Sequence, residues 1–377
     1  MSKLCKLFSV CTASLLFMLP YPLVASEQGR AQLGQLLFFD KNLSRQRNQS
    51  CASCHNPQAG FSDDRNNRVK AMASLGDDGI SLGDRNTPTV SYAAFSPPFH
   101  FDSKTRQYVG GQFWDGRARD LQAQAVAPPL NPLEMAMPDK LAVIQRLQEN
   151  AHYVEQFRQL YGEDVFDEVE TAYSAMTESL AAFEKTDLFA PFDSKYDRYL
   201  RGDYELSIEE ELGLSLFFSN NNTSCSSCHV LKGEDEAGET FTNYQYHNIG
   251  VPVNEALRQK NDHADVDKGL LDNPRVTDEK QLGKFKVPTL RNVAVTAPYM
   301  HNGVFANLQT VIKFYDQYNN PQRNINPQTG KPWREPEVAE TVNLEDLKAK
   351  ALSDRKIDAL IAFLEILTDK RYEYLLE

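Results

Sequence analysis

The pattern C-x-x-C-H occurs twice, as Cys51, Cys54 and His55 in SCASCHNP and as Cys225, Cys228 and His229 in SCSSCHV. The two copies lie about 170 residues apart. Zinc sites made from two C-x-x-C pairs place them about 15–20 residues apart. A thioredoxin-like dithiol needs a βαβ setting, and strand alternation is scarce in this chain. In an exported protein, C-x-x-C-H is the attachment signature of c-type haem. The two thiols bond to the haem vinyl groups, and the adjacent histidine becomes the proximal iron ligand. Any fold of this chain must therefore wrap two haem-sized pockets, one per motif.

Export is legible at the N-terminus, where residues 1–25 read as a secretory signal peptide. Lys3 and Lys6 precede the apolar run LFSVCTASLLFMLPYPLVA, which ends at the small residue Ala25. Pro20 and Pro22 interrupt that run, and no later segment is apolar enough to span a bilayer. Phe8-Ser9-Val10 lacks the small residues that would make Cys11 a lipoprotein site. Cleavage removes Cys5 and Cys11, so every remaining cysteine belongs to a C-x-x-C-H motif. An oxidising compartment normally uses spare cysteines as disulfides, and none is spare. A periplasmic location follows. Loss of Lys3 and Lys6 lowers the net charge from −12 to −14. That balance argues against nucleic acid and permits a basic protein partner.

Each motif sits in a longer repeat. LGQLLFFDKNLSRQRNQSCASCH begins at Leu33, and LGLSLFFSNNNTSCSSCH begins at Leu212 with a loop five residues shorter. Duplication is the natural reading. Between and after the repeats, helical periodicity dominates. Leu141, Ile144, Leu147, Val154, Phe157 and Leu160 predict one helix. Phe166, Val169, Tyr173, Met176, Leu180 and Phe183 predict another, and Ile357, Leu360, Ile361, Leu364 and Leu367 a third. Ala190–Ser207 is polar and reads as a linker. The expectation is a mostly α protein of two cytochrome c-like haem domains related by internal duplication, with long loops. The domains span 26–195 and 196–377, with the C-terminal helix packing back on the first.

The stretches GGQFWDGRARDLQAQAVAPPLNPLEM and GKFKVPTLRNVAVTAPYMHNG resemble signatures of the bacterial di-haem cytochrome c peroxidases and their MauG relatives. The likeness runs in order from about Leu33 to about Tyr315. It implies a peroxidatic first haem and an electron-transfer second haem. It gives Trp114 the place of the tryptophan that relays electrons between them. Gln124, Pro128 and Glu134 take the places of the peroxide pocket over the first haem. Glu134 would carry a proton between the two peroxide oxygens, as a poised carboxyl group can. Asn86, Thr296 and Pro298 match a Ca²⁺ position between the domains, with neutral oxygen donors that suit this ion.

Two departures from the peroxidase pattern matter. The classical first haem has a distal histidine about 16 residues past its motif. Here the residue is Ala71, no histidine lies between His55 and His100, and Met72 is the only soft side chain nearby. The first haem is thus expected to keep an open face. The classical second haem has a methionine 14 residues after the histidine that is His301 here, and this chain has Tyr315. The MauG-type branch carries tyrosine there, and an anionic phenolate favours oxidised iron where methionine disfavours it. Met300 is the alternative ligand. The implied activity is oxidation of a protein partner by H2O2 through two coupled haems. A conventional peroxidase fed by a small cytochrome c or cupredoxin is the alternative, and a non-catalytic electron carrier is a third. His100, His152 and His263 read as bland, His247 and His301 as hydrogen-bonding residues near the second haem, and Trp333 as a surface residue.

Overall fold

The computed structural model describes residues 27–65, 69–219, 223–231 and 238–377. The signal-peptide reading of residues 1–25 lies outside them. The architecture is mainly helical. In the N-terminal half, α1 (Glu27–Phe39), α2 (Cys51–Cys54), α3 (Leu121–Ala125), α4 (Lys140–Gln148), α5 (Ala151–Tyr161) and α6 (Val169–Glu184) surround one apolar core. A connecting helix α7 (Lys195–Leu200) leads to α8 (Ile208–Phe217), α9 (Cys225–Cys228), α10 (Glu255–Asn261), α11 (Leu308–Asp316) and α12 (Asp354–Glu365). The second core forms mainly between α8, α11 and α12. Strands are short antiparallel pairs: β1 (His100–Asp102) with β2 (Gln107–Val109), β3 (Tyr246–His247) with β4 (Phe285–Lys286), and β5 (Ile325–Asn326) with β6 (Lys331–Pro332).

Both L-G-x-x-L-F-F segments are helical, and their glycines explain how each core closes. A Cβ on Gly34 of α1 would lie 1.9 Å from the Ser179 carbonyl oxygen of α6. A Cβ on Gly213 of α8 would lie 1.9 Å from the Ala359 carbonyl oxygen of α12. Each pair of helices therefore crosses at a point where only glycine fits. The following phenylalanines seal the crossing. Phe38 meets Phe183 at 5.5 Å, and Phe217 meets Phe363 at 4.9 Å. Smaller contacts recur as well. The Thr89 hydroxyl donates to the Gly60 carbonyl, and the Thr289 hydroxyl to the Thr240 carbonyl.

Three expectations change. The single helix predicted across Leu141–Leu160 is two, because Asn150 caps α5 by accepting from the His152 N–H. The polar segment Ala190–Ser207 is no slack linker. It contains α7, closed by a Ser194/Asp197 capping box, with Tyr196 and Asp197 buried. The expected boundary at 195/196 falls at the start of this helix. Asp197 takes a bidentate pair from Arg291 at 2.7 and 2.9 Å, and that guanidinium is fully buried. The C-terminal helix does not pack on the first half, since α12 lies on α8 and α11. The chain after it reaches back. Asp369 accepts from the Tyr92 hydroxyl at 2.5 Å and from the Asn292 amide at 2.8 Å, and the Tyr372 hydroxyl donates to the Pro57 carbonyl.

Candidate active site

The short helices α2 and α9 place each C-x-x-C-H motif at the wall of a large cavity. Cys51, Cys54 and His55 line one of about 960 Å³. Cys225, Cys228 and His229 line a second, of about 250 Å³ and more apolar. The four thiols are unpaired. Burial pushes Cys51 up to about 12, Cys54 to about 11 and Cys228 to about 12, so the free thiols are neutral. No group of three or more His, Cys, Asp or Glu able to hold a metal ion occurs among the described residues. The imidazoles are oriented alike. His55 Nδ1 lies 3.2 Å from the Phe61 carbonyl, and His229 Nδ1 lies 2.9 Å from the Phe241 carbonyl. Such a bond to Nδ1 fixes the tautomer in which Nε2 carries the lone pair. Burial lowers the pKa of both rings, that of His229 to about 4, so both are neutral. Neutral thiols, a fixed imidazole and a haem-sized void fit a covalent haem in each half.

Gln124, Pro128 and Glu134 line the first cavity together with the motif. Glu134 caps the turn Asn131–Glu134, and the Asn131 amide donates to its Oε1 at 2.8 Å. Burial pushes the Glu134 carboxyl above its usual range, and the Asn131 bond only partly opposes this. Asn131 is a positioning residue that the spacing N-x-x-E could have announced. Glu184 had no sequence signal. It ends α6 on the cavity wall, its Oε2 has no hydrogen-bond partner, and burial pushes it up to about 8. Ala71 and Met72 do not line the cavity. Met72 Sδ instead accepts from the Asn254 amide at 3.2 Å, in a small apolar cluster.

Trp114 lines both cavities. Its indole N–H donates to the Asn86 carbonyl at 2.8 Å, and its own carbonyl accepts from the Lys286 N–H. Asn86, Thr296 and Pro298 share the wall of the first cavity where the halves meet, and the Asn86 N–H donates to the His301 carbonyl at 2.7 Å. In the second cavity Tyr315 projects from α11, with His247, Met300 and His301 also on the wall. Burial is the first cause that raises the Tyr315 phenol, and the neighbouring Cys228 and Cys225 add to it. His301 stacks on Phe285 at 3.6 Å, and its Nε2 has no protein partner. His247 lies 3.1 Å from the Asp346 carboxylate. His100 and His152 are exposed, and His263 lies 3.8 Å from Asp84. Trp333 is half-buried against Phe305 and Phe314, not a free surface residue.

Known proteins decide the family. The chain is 51% identical to the methylamine utilization protein MauG of Paracoccus denitrificans, over 97% of both chains. It belongs to the di-haem cytochrome c peroxidase/MauG family. The family model for di-haem cytochrome c peroxidase matches residues 28–205. The cytochrome c551 peroxidase of Nitrosomonas europaea is 34% identical over 75% of this chain and 71% of its own. The crystal structure of the di-haem peroxidase BthA of Burkholderia thailandensis superposes with a TM-score of 0.80 at 30% identity, covering 91% of this chain and 87% of that one. As a member of this family, the chain is a MauG-like oxidoreductase of the peroxidase type with two haems. No helix among the described residues is long and apolar enough to cross a membrane.

Proposed function

We propose that the chain is an exported, periplasmic enzyme that uses H2O2 to oxidise an aromatic side chain of a partner protein. Tyr315 on the wall of the second cavity carries this reading, because the methionine of the conventional branch is absent there. Two domains that arose by duplication would each hold one haem, through Cys51, Cys54 and His55 and through Cys225, Cys228 and His229. Bound haem supplies the iron that cleaves the peroxide bond and the two centres that share the oxidising equivalents. The chain supplies the rest. Glu134, whose pKa burial raises above the usual carboxyl range, moves a proton from the inner to the outer peroxide oxygen. Gln124 and Pro128 shape the space in which peroxide lies. Trp114 joins the two cavities. Tyr315 would be the second protein ligand to the haem of the second cavity, with Met300 as the competing side chain. Asn86 would supply a side-chain oxygen, and Thr296 and Pro298 backbone carbonyls, to one Ca²⁺ between the halves.

The conventional reading is the second. Homologues named cytochrome c peroxidases keep it in view. A steady-state assay with H2O2 and a reduced small cytochrome c separates the two. Slow turnover without donor preference, together with a two-equivalent oxidised form of the resting ferric protein, is expected. Fast turnover that saturates with the cytochrome would establish a conventional peroxidase instead.

A further inference from the structure

The chain has two tryptophans, of which Trp114 lines the second cavity and Trp333 does not. Trp114 lies on its inner wall, shared with the first cavity. Trp333 follows the β5–β6 hairpin, between the exposed residues Lys331, Pro332 and Arg334. A line of rings joins it to the cavity. The Trp333 ring meets Phe314 at 5.7 Å and 66°, and Phe314 meets Tyr315 at 5.9 Å and 69°. Tyr315 itself lines the cavity.

This line is held in place. The Trp333 indole N–H donates to the Arg323 carbonyl at 2.6 Å. The Arg323 guanidinium binds the buried Asp316, next to Tyr315, at 3.2 Å and Asp354 at 2.6 Å. The Gln328 side chain ties the hairpin to Ala306 N–H and to the Val304 carbonyl.

A folded partner cannot put a side chain into a void of about 250 Å³ that a haem fills. Electrons from the partner must cross protein. Indole is among the most easily oxidised side chains. Phenylalanine is not oxidised, but its ring fills the gap between two that are. We propose that Trp333 is the exit station of the second cavity, and that the partner presents an oxidisable tryptophan or tyrosine to the β5–β6 hairpin. Trp333 gives one electron inward past Phe314 toward Tyr315, and one electron from the partner side chain restores it. The indole keeps its N–H on the Arg323 carbonyl, so no proton moves at Trp333. Two such passages, with two protons, reduce one H2O2 to two waters, and the partner loses two electrons. Tyr318 is the competing station, 5.9 Å from Phe314. Its hydroxyl donates to the Ile249 carbonyl, which is no base for the proton an oxidised phenol must release.

The proposal rests on the protein-oxidising reading above, and the test separates the two. Holoprotein is treated with H2O2 and no partner, then digested for mass spectrometry, and the oxidised state is followed by its spectrum. The Trp333 peptide should gain oxygen ahead of peptides with other surface aromatics. Trp333→Phe keeps the contacts with Phe305 and Phe314 and should form the two-equivalent state at the wild-type rate. That state should then decay about tenfold more slowly. Normal formation and unchanged decay in Trp333→Phe, with Trp333 unmodified in the wild type, would remove Trp333 alone. Slower decay in Tyr318→Phe but not in Trp333→Phe would give the role to Tyr318. Wild-type protein that forms no two-equivalent state would end the underlying reading, and the exit station with it.

Discussion

In the N-terminal half α1 crosses α6 at Gly34, and in the C-terminal half α8 crosses α12 at Gly213. Both crossings frame a C-x-x-C-H motif whose histidine Nδ1 faces a backbone carbonyl, Phe61 or Phe241. Inside these like frames the walls differ. The first cavity is about 960 Å³ and holds two carboxyl groups, Glu134 and Glu184, above their usual pKa range. The second is about 250 Å³, and its wall offers Tyr315 with two neutral histidines, His247 and His301. In the proposed reading the backbone would fix where each haem sits, and a few side chains on the cavity wall would decide whether its iron stays open or is closed by the protein.

Reciprocal substitutions would break this comparison most severely. Glu134→Gln should slow the reaction with H2O2 by about 10²–10⁴-fold, the range of a lost general acid–base group, and leave the second site's spectrum intact. Tyr315→Phe should do the opposite, removing the low-spin signal of the second site while peroxide still reacts at the first. Stopped-flow and resting spectra of the two variants check this. If Tyr315→Phe leaves the low-spin signal in place, Tyr315 is not a ligand and the two sites differ less than proposed.

A smaller effect tests the likeness rather than the difference. Gly34→Ala and Gly213→Ala each force a methyl group against a backbone carbonyl, and overpacking of this kind costs about 1–3 kcal/mol. Denaturant unfolding of the two holoprotein variants should show similar losses. A loss at one position only would mean that the crossings are not equivalent.

The mildest expectation concerns Glu184, raised from 4.5 to about 8 by burial. The native state then holds this proton more tightly than the unfolded chain. Its contribution is fully present below pH about 4.5 and is lost as pH rises through about 8. Glu184→Gln should flatten that decline in thermal melts taken across this range. An unchanged slope would show that Glu184 titrates as an ordinary carboxyl group.

Much of this was legible in the chain. The two C-x-x-C-H motifs and the L-G-x-x-L-F-F repeats are local patterns whose chemistry needs that spacing, and both stand at cavity walls or helix crossings in the fold. Glu134, Gln124 and Trp114 were found through neighbouring residues of a family signature, and they do share a cavity. What was missed depends on distant partners. A polar stretch hid α7, because the partner of the buried Asp197 is Arg291, which lies 94 residues further on. Glu184 gives no signal, because its isolation comes from the cavity, not from its neighbours on α6. Trp333 looked exposed because the rings it packs on lie in two other segments.

The Arg291–Asp197 pair has a dynamic consequence. Parting the connector from the second half would strand a buried guanidinium, and breaking such a pair costs about 3–5 kcal/mol. Opened molecules would then number on the order of one in a thousand. Asp369 adds a second tie, between Tyr92 of one half and Asn292 of the other. The spacing of the two cavities is therefore set by packing and not by a hinge. The proposed electron exchange across Trp114 would then have no segment to wait for, and its rate should be indifferent to the viscosity of the solvent.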